Sequence, residues 1–226
     1  MTSFTPAALT FLRSLARNND REWFNPRKPL YERELRAPML ALIEEINHAL
    51  ADFAPEHIRP AHKAIFRIYR DTRFAADKRP YKTHVAAWWL RSGLEKTSGA
   101  GFYFHLSAKE IHIAAGMYMP SPEQLLAVRR HLLTHHAELA ALLSSRKLRA
   151  RMAEFDGNAL TRPPRGFPCD SPPLVLQRQW GVSATLPATI ATSPSLLKEI
   201  TSRFALAAPI VHLLNTPLAR PLTDPR

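Results

Sequence analysis

The chain of 226 residues has 46% hydrophobic and 22% charged residues, values that are typical of globular proteins. Its apolar runs are too short to span a membrane, and its single cysteine, Cys169, excludes an internal disulfide and any multi-cysteine metal site. The net charge of +12 predicts attraction to polyanions at low salt, but it does not distinguish a nucleic-acid-binding protein from an enzyme that acts on anionic substrates.

Helix starts along the chain share one pattern, in which a residue that can cap a helix precedes a proline suited to the first helical position. The four instances are Thr5-Pro6, Asn25-Pro26, Ser121-Pro122 and Ser193-Pro194. The first predicts a helix over residues 6–17. The second predicts a helical region that reaches Leu50 and that Pro38 should kink or split. In the third, Gln124 completes a capping box and predicts a helix over 122–145.

Between these helical regions the apolar period changes to two, which indicates strands. We predict four short antiparallel strands, KAIFRIY, THVAAWWLR, GFYFHLS and EIHIAAGMY. One set of alternate residues should pack on the helices: Phe66, Ile68, Phe102, Phe104, Leu106, Ile111, Ile113 and Ala115. The other set should form an aromatic and polar face: Arg67, Tyr69, Tyr103, His105, His112 and Tyr118.

The last third of the chain is rich in proline at first and then helical. Residues 156–180 predict a long ordered loop with a short helix that ends near Trp180. The segment GVSATLP that follows predicts an edge strand. The fourth helix start predicts a helix over 194–206, with a second short helix over 209–214.

These elements predict a single α+β domain over residues 1–216, followed by a C-terminal tail over 217–226. Its antiparallel sheet should have about four to six strands, with helices packed on one face. Because the sequence shows neither a leader nor a membrane span, we expect a cytoplasmic protein. The sequence does not indicate whether the protein forms oligomers.

The stretch RIYRDTRFAADKRPYKTH, residues 67–84, predicts a binding site. It has six Lys/Arg against two Asp, which leaves four positive charges that the stretch itself does not neutralise. Guanidinium and ammonium groups bind phosphates and carboxylates, and tyrosine hydroxyls can donate to the same anion. We therefore expect a small anionic ligand, phosphorylated or nucleotide-like. The candidate ligand-binding residues here are Arg67, Tyr69, Arg70, Asp71, Arg73, Lys78, Tyr81 and Lys82.

Two other interpretations of this stretch stay open. In the structural one, Asp71 and Asp77 pair with nearby cations to hold a glycine-free loop in one shape, Tyr81 and Phe74 cover the sheet end, and the protein is a scaffold. In the other, the same cations bind nucleic acid weakly, with an aromatic residue such as Trp88 for stacking. A continuous basic stripe would favour nucleic acid, and a concave pocket would favour a small ligand.

Catalysis receives little support from the residues. Asp71 is the best candidate for a general base, but the cations around it should lower its pKa and oppose proton abstraction near neutral pH. His105 and His112 could approach each other across a hairpin, yet a zinc site needs a third ligand. We therefore expect no metal site and assign no cofactor and no catalytic residue.

Four segments together resemble a known family: LTFLRSLARNNDREWFNPRKPLYE, IFRIYRDTRFAADKRPYKTH, GAGFYFHLS and LTRPPRGF. They are similar to the domain of unknown function 2461, found in bacterial and fungal proteins, over most of the chain from about Phe4 to Trp180. The resemblance implies no activity, substrate or catalytic residue.

What the resemblance does imply is a set of hallmark positions. They are Asn18, Asn19, Asp20, Arg21, Trp23, Arg67, Arg70, Asp71, Arg73, Lys78, Tyr81, Lys82, Arg165 and Gly166. Because the proline-rich loop belongs to the same family pattern, Arg165 is expected to reach the pocket of Arg70 and Arg73.

Overall fold

The computed structural model describes residues 3–93, 99–155 and 157–219. In these ranges the helices are α1 (Pro6–Arg17), α2 (Arg21–Phe24), α3 (Lys28–Tyr31), α4 (Ala37–Leu50), α5 (Ala61–Ala64), α6 (Pro122–Leu143), α7 (Arg146–Arg149), α8 (Pro173–Leu176) and α9 (Leu196–Asn215). The strands are β1 (His84–Leu90), β2 (Gly101–Ser107), β3 (Glu110–Met117), β4 (Ala153–Glu154) and β5 (Trp180–Pro187). Residues 220–226 of the predicted tail lie outside the described residues.

The strands form one antiparallel sheet in the order β1-β2-β3-β5-β4. Its helix-covered face carries the alternate residues that the sequence predicted, such as Phe104 opposite Ile113, and both are fully buried. Phe204 of α9 packs on this face, with its ring 4.9 Å from that of Phe102 and 5.5 Å from that of Trp89. The prediction of an α+β fold is confirmed.

One of the four predicted strands is wrong. In the segment KAIFRIY, Lys63 and Ala64 end helix α5, and the residues after them make only isolated bridges, Ile65 to Ala87 and Tyr69 to Tyr81. The alternation of apolar residues is real, and Ile68 is buried as predicted. However, the Phe66 N–H group donates to the carbonyl oxygen of Ala86 in β1, whereas two residues later the Ile68 carbonyl oxygen accepts from the N–H group of Lys82 in the loop that follows.

The prediction that Phe66 packs on the helix-covered face is wrong, because Phe66 lies on the open face of the sheet. Its ring lies 4.9 Å from that of Trp88 and 6.2 Å from that of Tyr103, and both of these residues are on the open face of the sheet. Because the Phe66 N–H group still bonds to Ala86 of β1 and the chain leaves the sheet after Phe66, the parity that holds within regular strands does not carry over from Phe66 to Ile68.

Two further expectations are corrected by the observed elements. Strand β5 is not an edge strand, since the two-residue strand β4 pairs with Val182 and Ser183. The predicted break near residue 207 is also wrong, because α9 continues through Pro209. Tertiary packing tolerates this proline, although it leaves one carbonyl group without its helical donor.

Pro38 divides the second helical region, as the sequence predicted. A π-helical turn over Glu32–Arg36 separates α3 from α4, and Pro38 lies in the first turn of α4, where a missing N–H group costs little. The capping box of Ser121 and Gln124 is present at the start of α6. Among the described residues, no helix is both long enough and apolar enough to cross a membrane.

Candidate functional site

The open face of the sheet forms a groove of about 700 Å³. Its lining residues include Phe66, Trp88, Leu90, Tyr103, His105, His112, Gly116, Tyr118, Phe155, Gln179 and Ser183. The strand register explains this composition, because Trp88 lies opposite Tyr103 and His105 lies opposite His112. The polar and aromatic face that the sequence predicted is therefore a concave surface at Tyr103, His105, His112 and Tyr118.

A glycine that lines the groove allows β3 and β5 to approach closely. Gly116 has a φ of +140°, and a Cβ atom there would lie 2.3 Å from the carbonyl oxygen of Trp180 in the adjacent strand. Any larger residue would strain the backbone and push β3 and β5 apart. Gly101 lies opposite Gly116 across the β2–β3 pair, so at this one position two neighbouring residues of the groove floor carry no side chain.

Three histidines stand in a row across the open face. The ring centroids of His84 and His105 are 4.9 Å apart, and those of His105 and His112 are 5.3 Å apart. The Tyr103 hydroxyl lies 3.1 Å from Nδ1 of His105, within hydrogen-bond distance. The rings lie side by side and do not converge, and the described residues contain no group of three ligands that could hold a metal ion.

Burial keeps these histidines neutral. Desolvation, followed by the charges of His84 and His112, lowers the pKa of His105 to about 3, and desolvation also lowers the pKa of His84 and of His112. Burial raises the pKa of Tyr103 to about 12. The groove therefore presents neutral imidazole and phenol groups at neutral pH, which suits hydrogen bonding to a ligand ring.

The free energy of unfolding should fall as the pH is lowered through the range set by His105. Its folded pKa of about 3 is below the usual 6.5, so between these values the unfolded chain binds the proton that the folded chain excludes. We expect a loss on the order of 1–2 kcal/mol between about pH 7 and 5. In chemical denaturation series, H105N should reduce this loss, whereas H62N, at an exposed position, should not. Equal losses in both variants would contradict the assignment.

Two cations lie over aromatic rings that line the groove. Nζ of Lys82 is 5.1 Å from the centroid of Phe66, and the guanidinium of Arg59 is 6.0 Å from that of Trp88. Lys82 also donates to the carbonyl oxygen of Arg67 at 2.8 Å. Desolvation and then the charge of Arg67 lower the pKa of Lys82. Among the described residues, Lys82 has no carboxylate within ion-pair distance.

Three arginines of the basic loop, residues 67–84, are paired within the loop, whereas Arg67 is exposed. The guanidinium of Arg73 donates to both carboxylate oxygens of Asp71, at 3.0 and 2.7 Å. Asp77 accepts from Arg79 at 2.7 Å and from Arg70 at 2.6 Å. These are the contacts that the structural interpretation predicted, with Arg79 as an additional member. Hydrogen bonds from Arg73 lower the pKa of Asp71 to about 2, which opposes its use as a base.

The remaining candidate residues of the loop differ in exposure. Nζ of Lys78 donates to the Thr72 carbonyl oxygen at 3.0 Å. Tyr69 is half exposed, while Tyr81 is buried with its ring stacked 4.1 Å from that of Phe24. The structural interpretation expected Phe74 to cover the sheet end. Phe74 is 95% exposed and does not do so.

The Asn-Asn-Asp segment after α1 holds the basic loop, a role that its sequence did not predict. Nδ2 of Asn19 donates to the carbonyl oxygen of Tyr81 and its Oδ1 accepts from the N–H group of the same residue, both at 3.0 Å. Asp20 caps α2 by accepting from the N–H group of Trp23 at 2.7 Å, as expected of a cap residue. Asn18 donates to the Ser14 carbonyl oxygen at the end of α1.

Two more asparagines fix chain segments beside the groove in the same manner. Asn215 donates to the carbonyl oxygen of Ala100 and accepts from its N–H group, at 3.0 and 2.8 Å. Asn47 donates to the Arg59 carbonyl oxygen at 2.7 Å and accepts from Nε1 of Trp89 at 3.0 Å. Asn215 thus replaces both backbone partners of Ala100, and Asn47 supplies a donor to the Arg59 carbonyl group and an acceptor to the indole of Trp89.

The proline-rich loop is anchored at its ends. The Leu160 N–H group donates to the Leu176 carbonyl oxygen, and Arg129 of α6 donates to that of Gln177 at 3.0 Å. Arg165 and Gly166 form an exposed turn, with a φ of +85° at Gly166. Arg165 is not among the described residues that line the groove, and its predicted approach to Arg70 and Arg73 stays a prediction.

Comparison with known proteins agrees with the sequence resemblance. The family model described as "Conserved hypothetical protein (DUF2461)" matches residues 7–213. No curated protein matches the chain, and no solved structure matches it. The matched span contains the whole sheet, the basic loop, Asn19 and Asn47, whereas Asn215 lies two positions beyond its end. The chain belongs to the domain of unknown function 2461 family.

Proposed function

We propose that the protein binds a small anionic ligand with a flat ring, such as a nucleotide, in the groove on the open face of the sheet. The observation that carries this proposal is the position of Lys82, a half-buried cation over the ring of Phe66 at the edge of an aromatic groove. Ligand sites are typically concave, largely apolar and fitted with a few polar groups, and the groove has these properties.

The environment of Lys82 supports an anion at this end of the groove. Removing an ammonium group from water costs free energy unless an opposite charge compensates it. The carbonyl oxygen of Arg67 supplies one hydrogen bond, and the nearby charge of Arg67 adds repulsion. A phosphate or carboxylate group beside Lys82 and Arg67 would offset both the desolvation of the ammonium group and the repulsion between the two cations.

The groove walls support a planar ring as the other part of the ligand. Trp88, Tyr103 and Tyr118 offer aromatic faces, and the neutral imidazoles of His105 and His112 offer hydrogen-bonding edges. Stacking of a base on an aromatic side chain contributes roughly 1–3 kcal/mol. The walls therefore suit a nucleobase better than a sugar phosphate.

The other predicted ligand-binding residues receive supporting roles in this proposal. Arg70 and Arg73, through their aspartate partners, hold the loop that carries Lys82 and Arg67. Tyr81 anchors the same loop on Phe24. Lys78 stays at its surface, where its charge can add to the attraction of an anion without contacting it, and Tyr69 is half exposed there without a charge of its own.

Calorimetric titration with AMP, adenosine and inorganic phosphate tests the proposal. AMP should bind more tightly than either fragment, because it fills both the aromatic and the cationic parts of the site. K82Q should weaken AMP binding at least about tenfold, the cost of one charge-assisted hydrogen bond. The matched control K78Q changes a lysine that bonds to a backbone carbonyl in the same loop, and it should leave the affinity within about twofold. Equal weakening by both variants, or no binding of AMP, would reject the proposal.

A second candidate function, nucleic-acid binding, is favoured by Phe74. This side chain is 95% exposed, and the guanidinium of Arg73 lies 5.7 Å from its ring. An exposed aromatic ring among cations can stack on an unpaired base. The two candidate functions differ in their dependence on salt.

A further inference from the structure

A second cavity, of about 520 Å³, lies on the helix-covered side of the sheet. It is open to solvent and bounded by the turn over residues 53–57, by α6 and by α9, with the buried Phe102 of β2 at its base. Its polar lining residues are Glu56, His57, His131, His135, Glu138, His212 and Thr216. Within the part of the chain that the structure describes, no lysine or arginine lines this cavity, although the protein carries a net charge of +12.

His57 presents a lone pair without a donor in this cavity. Its side chain is fully buried, and Nδ1 lies 3.0 Å from the carbonyl oxygen of Trp89. Because a carbonyl oxygen only accepts, Nδ1 carries the proton and Nε2 is an acceptor. Nε2 has no hydrogen-bond partner among the described residues, and it lies 3.8 Å from a carboxylate oxygen of Glu56. Burial lowers the pKa of His57, which favours the neutral ring.

Helix α9 supplies another acceptor. Ala205, Pro209 and His212 recur at helical spacing and all line the cavity, so this stripe of α9 faces it. Pro209 has no N–H group, and the carbonyl group of Ala205 therefore lacks its helical donor. The small side chains of Ala205 and Ala208 leave room beside it.

Helix α6 completes the polar wall. The rings of His131 and His135 are stacked 3.9 Å apart, and Nε2 of His131 is a buried atom without a hydrogen-bond partner among the described residues. Glu138 follows one turn after His135 and brings a second carboxylate to the rim. The cavity thus offers acceptors and negative charge, and it has aromatic groups, Phe53 and Phe102, on its apolar walls.

We propose that this cavity is a binding site for a small organic ammonium compound, such as an alkyl diamine. An ammonium group donates three hydrogen bonds and accepts none, which matches the acceptors of His57 and Ala205. Glu56 and Glu138 supply the opposite charge, and the aromatic rings attract a cation through their faces. A metal ion fits less well, since no three described His, Cys, Asp or Glu side chains converge on one point.

Melting curves of the full chain, recorded over a titration with 1,4-diaminobutane at low salt, test this proposal and give both the Tm and the affinity. The neutral probe is 1,4-butanediol. The diamine should raise the Tm, and the diol should not. E138Q removes one carboxylate from an exposed position and should weaken the diamine affinity at least about fivefold. A208L fills the cavity without changing its charge and should weaken binding at least as much. E123Q, an exposed glutamate at the other end of the same helix, should bind as the unmodified protein does.

Each other result counts against the site. Stabilisation by the diol, or equal weakening by E138Q and E123Q, would show a nonspecific effect and overturn the proposal. Full diamine affinity in A208L would place the binding elsewhere. Stabilisation by Zn²⁺ and not by the diamine would identify a metal site instead. K82Q, in the groove, should leave diamine binding unchanged, so failure of the nucleotide site and failure of this cavity are distinguishable.

Discussion

N215A should lower the free energy of unfolding by about 2–6 kcal/mol. The Asn215 amide satisfies both the N–H group and the carbonyl oxygen of Ala100, a residue with no exposed surface. Removing the amide leaves two buried backbone groups without partners, each of which costs roughly 1–3 kcal/mol. This is a large part of the total stability of a typical domain, about 5–15 kcal/mol.

Urea denaturation followed by circular dichroism measures this loss. N18A provides the matched control, because Asn18 is exposed and donates a single hydrogen bond at the end of α1. It should change the free energy of unfolding by less than about 1 kcal/mol. A loss in N215A no larger than that in N18A would contradict the role assigned to the buried amide.

The strand faces could be predicted from the sequence, whereas amide contacts such as that of Asn215 could not. The faces of β2 and β3 follow from a period of two, so Phe104 and Ile113 were placed in the core and His105 and His112 on the open face without any structure. The contact between Asn215 and Ala100 spans 115 positions, and that between Asn19 and Tyr81 spans 62. No local pattern encodes a pairing over such distances.

The basic loop shows the same limit for the candidate site. Composition predicted an excess of cations, but it did not predict which arginines the two aspartates would pair with. Lys82 differs from the others through its burial beside Phe66, and that position depends on the chain leaving the sheet after Phe66. Strand-like alternation in KAIFRIY concealed this departure, since Ile68 is buried although the segment is not a strand.

Binding of single-stranded DNA should be nearly lost between about 50 and 200 mM salt. A complex with about six to ten phosphate contacts loses roughly 10³- to 10⁵-fold in affinity over this range, because released counterions drive the association. The exposed ion-paired loop around Arg73 offers contacts of this kind. AMP binding should fall far less, because one partly buried contact beside Lys82 is screened less than exposed charges are.

Fluorescence anisotropy with labelled oligonucleotides of two sequences measures the first affinity, and calorimetry with AMP measures the second. We expect DNA binding that is weak and independent of sequence, and F74A should reduce it without changing AMP binding. Tight DNA binding at 200 mM salt, together with no AMP binding, would make nucleic acid the ligand and remove the small-ligand proposal.

A crystal structure of the protein with AMP, determined at about 200 mM salt, tests the central claim most directly. The proposal predicts the adenine ring against Trp88, Tyr103 or Tyr118 in the groove, and a phosphate oxygen within hydrogen-bond distance of Nζ of Lys82. Arg70 and Arg73 should keep their aspartate partners. A groove that stays without the nucleotide, while AMP lies on the basic loop against Arg73 and Phe74, would contradict it.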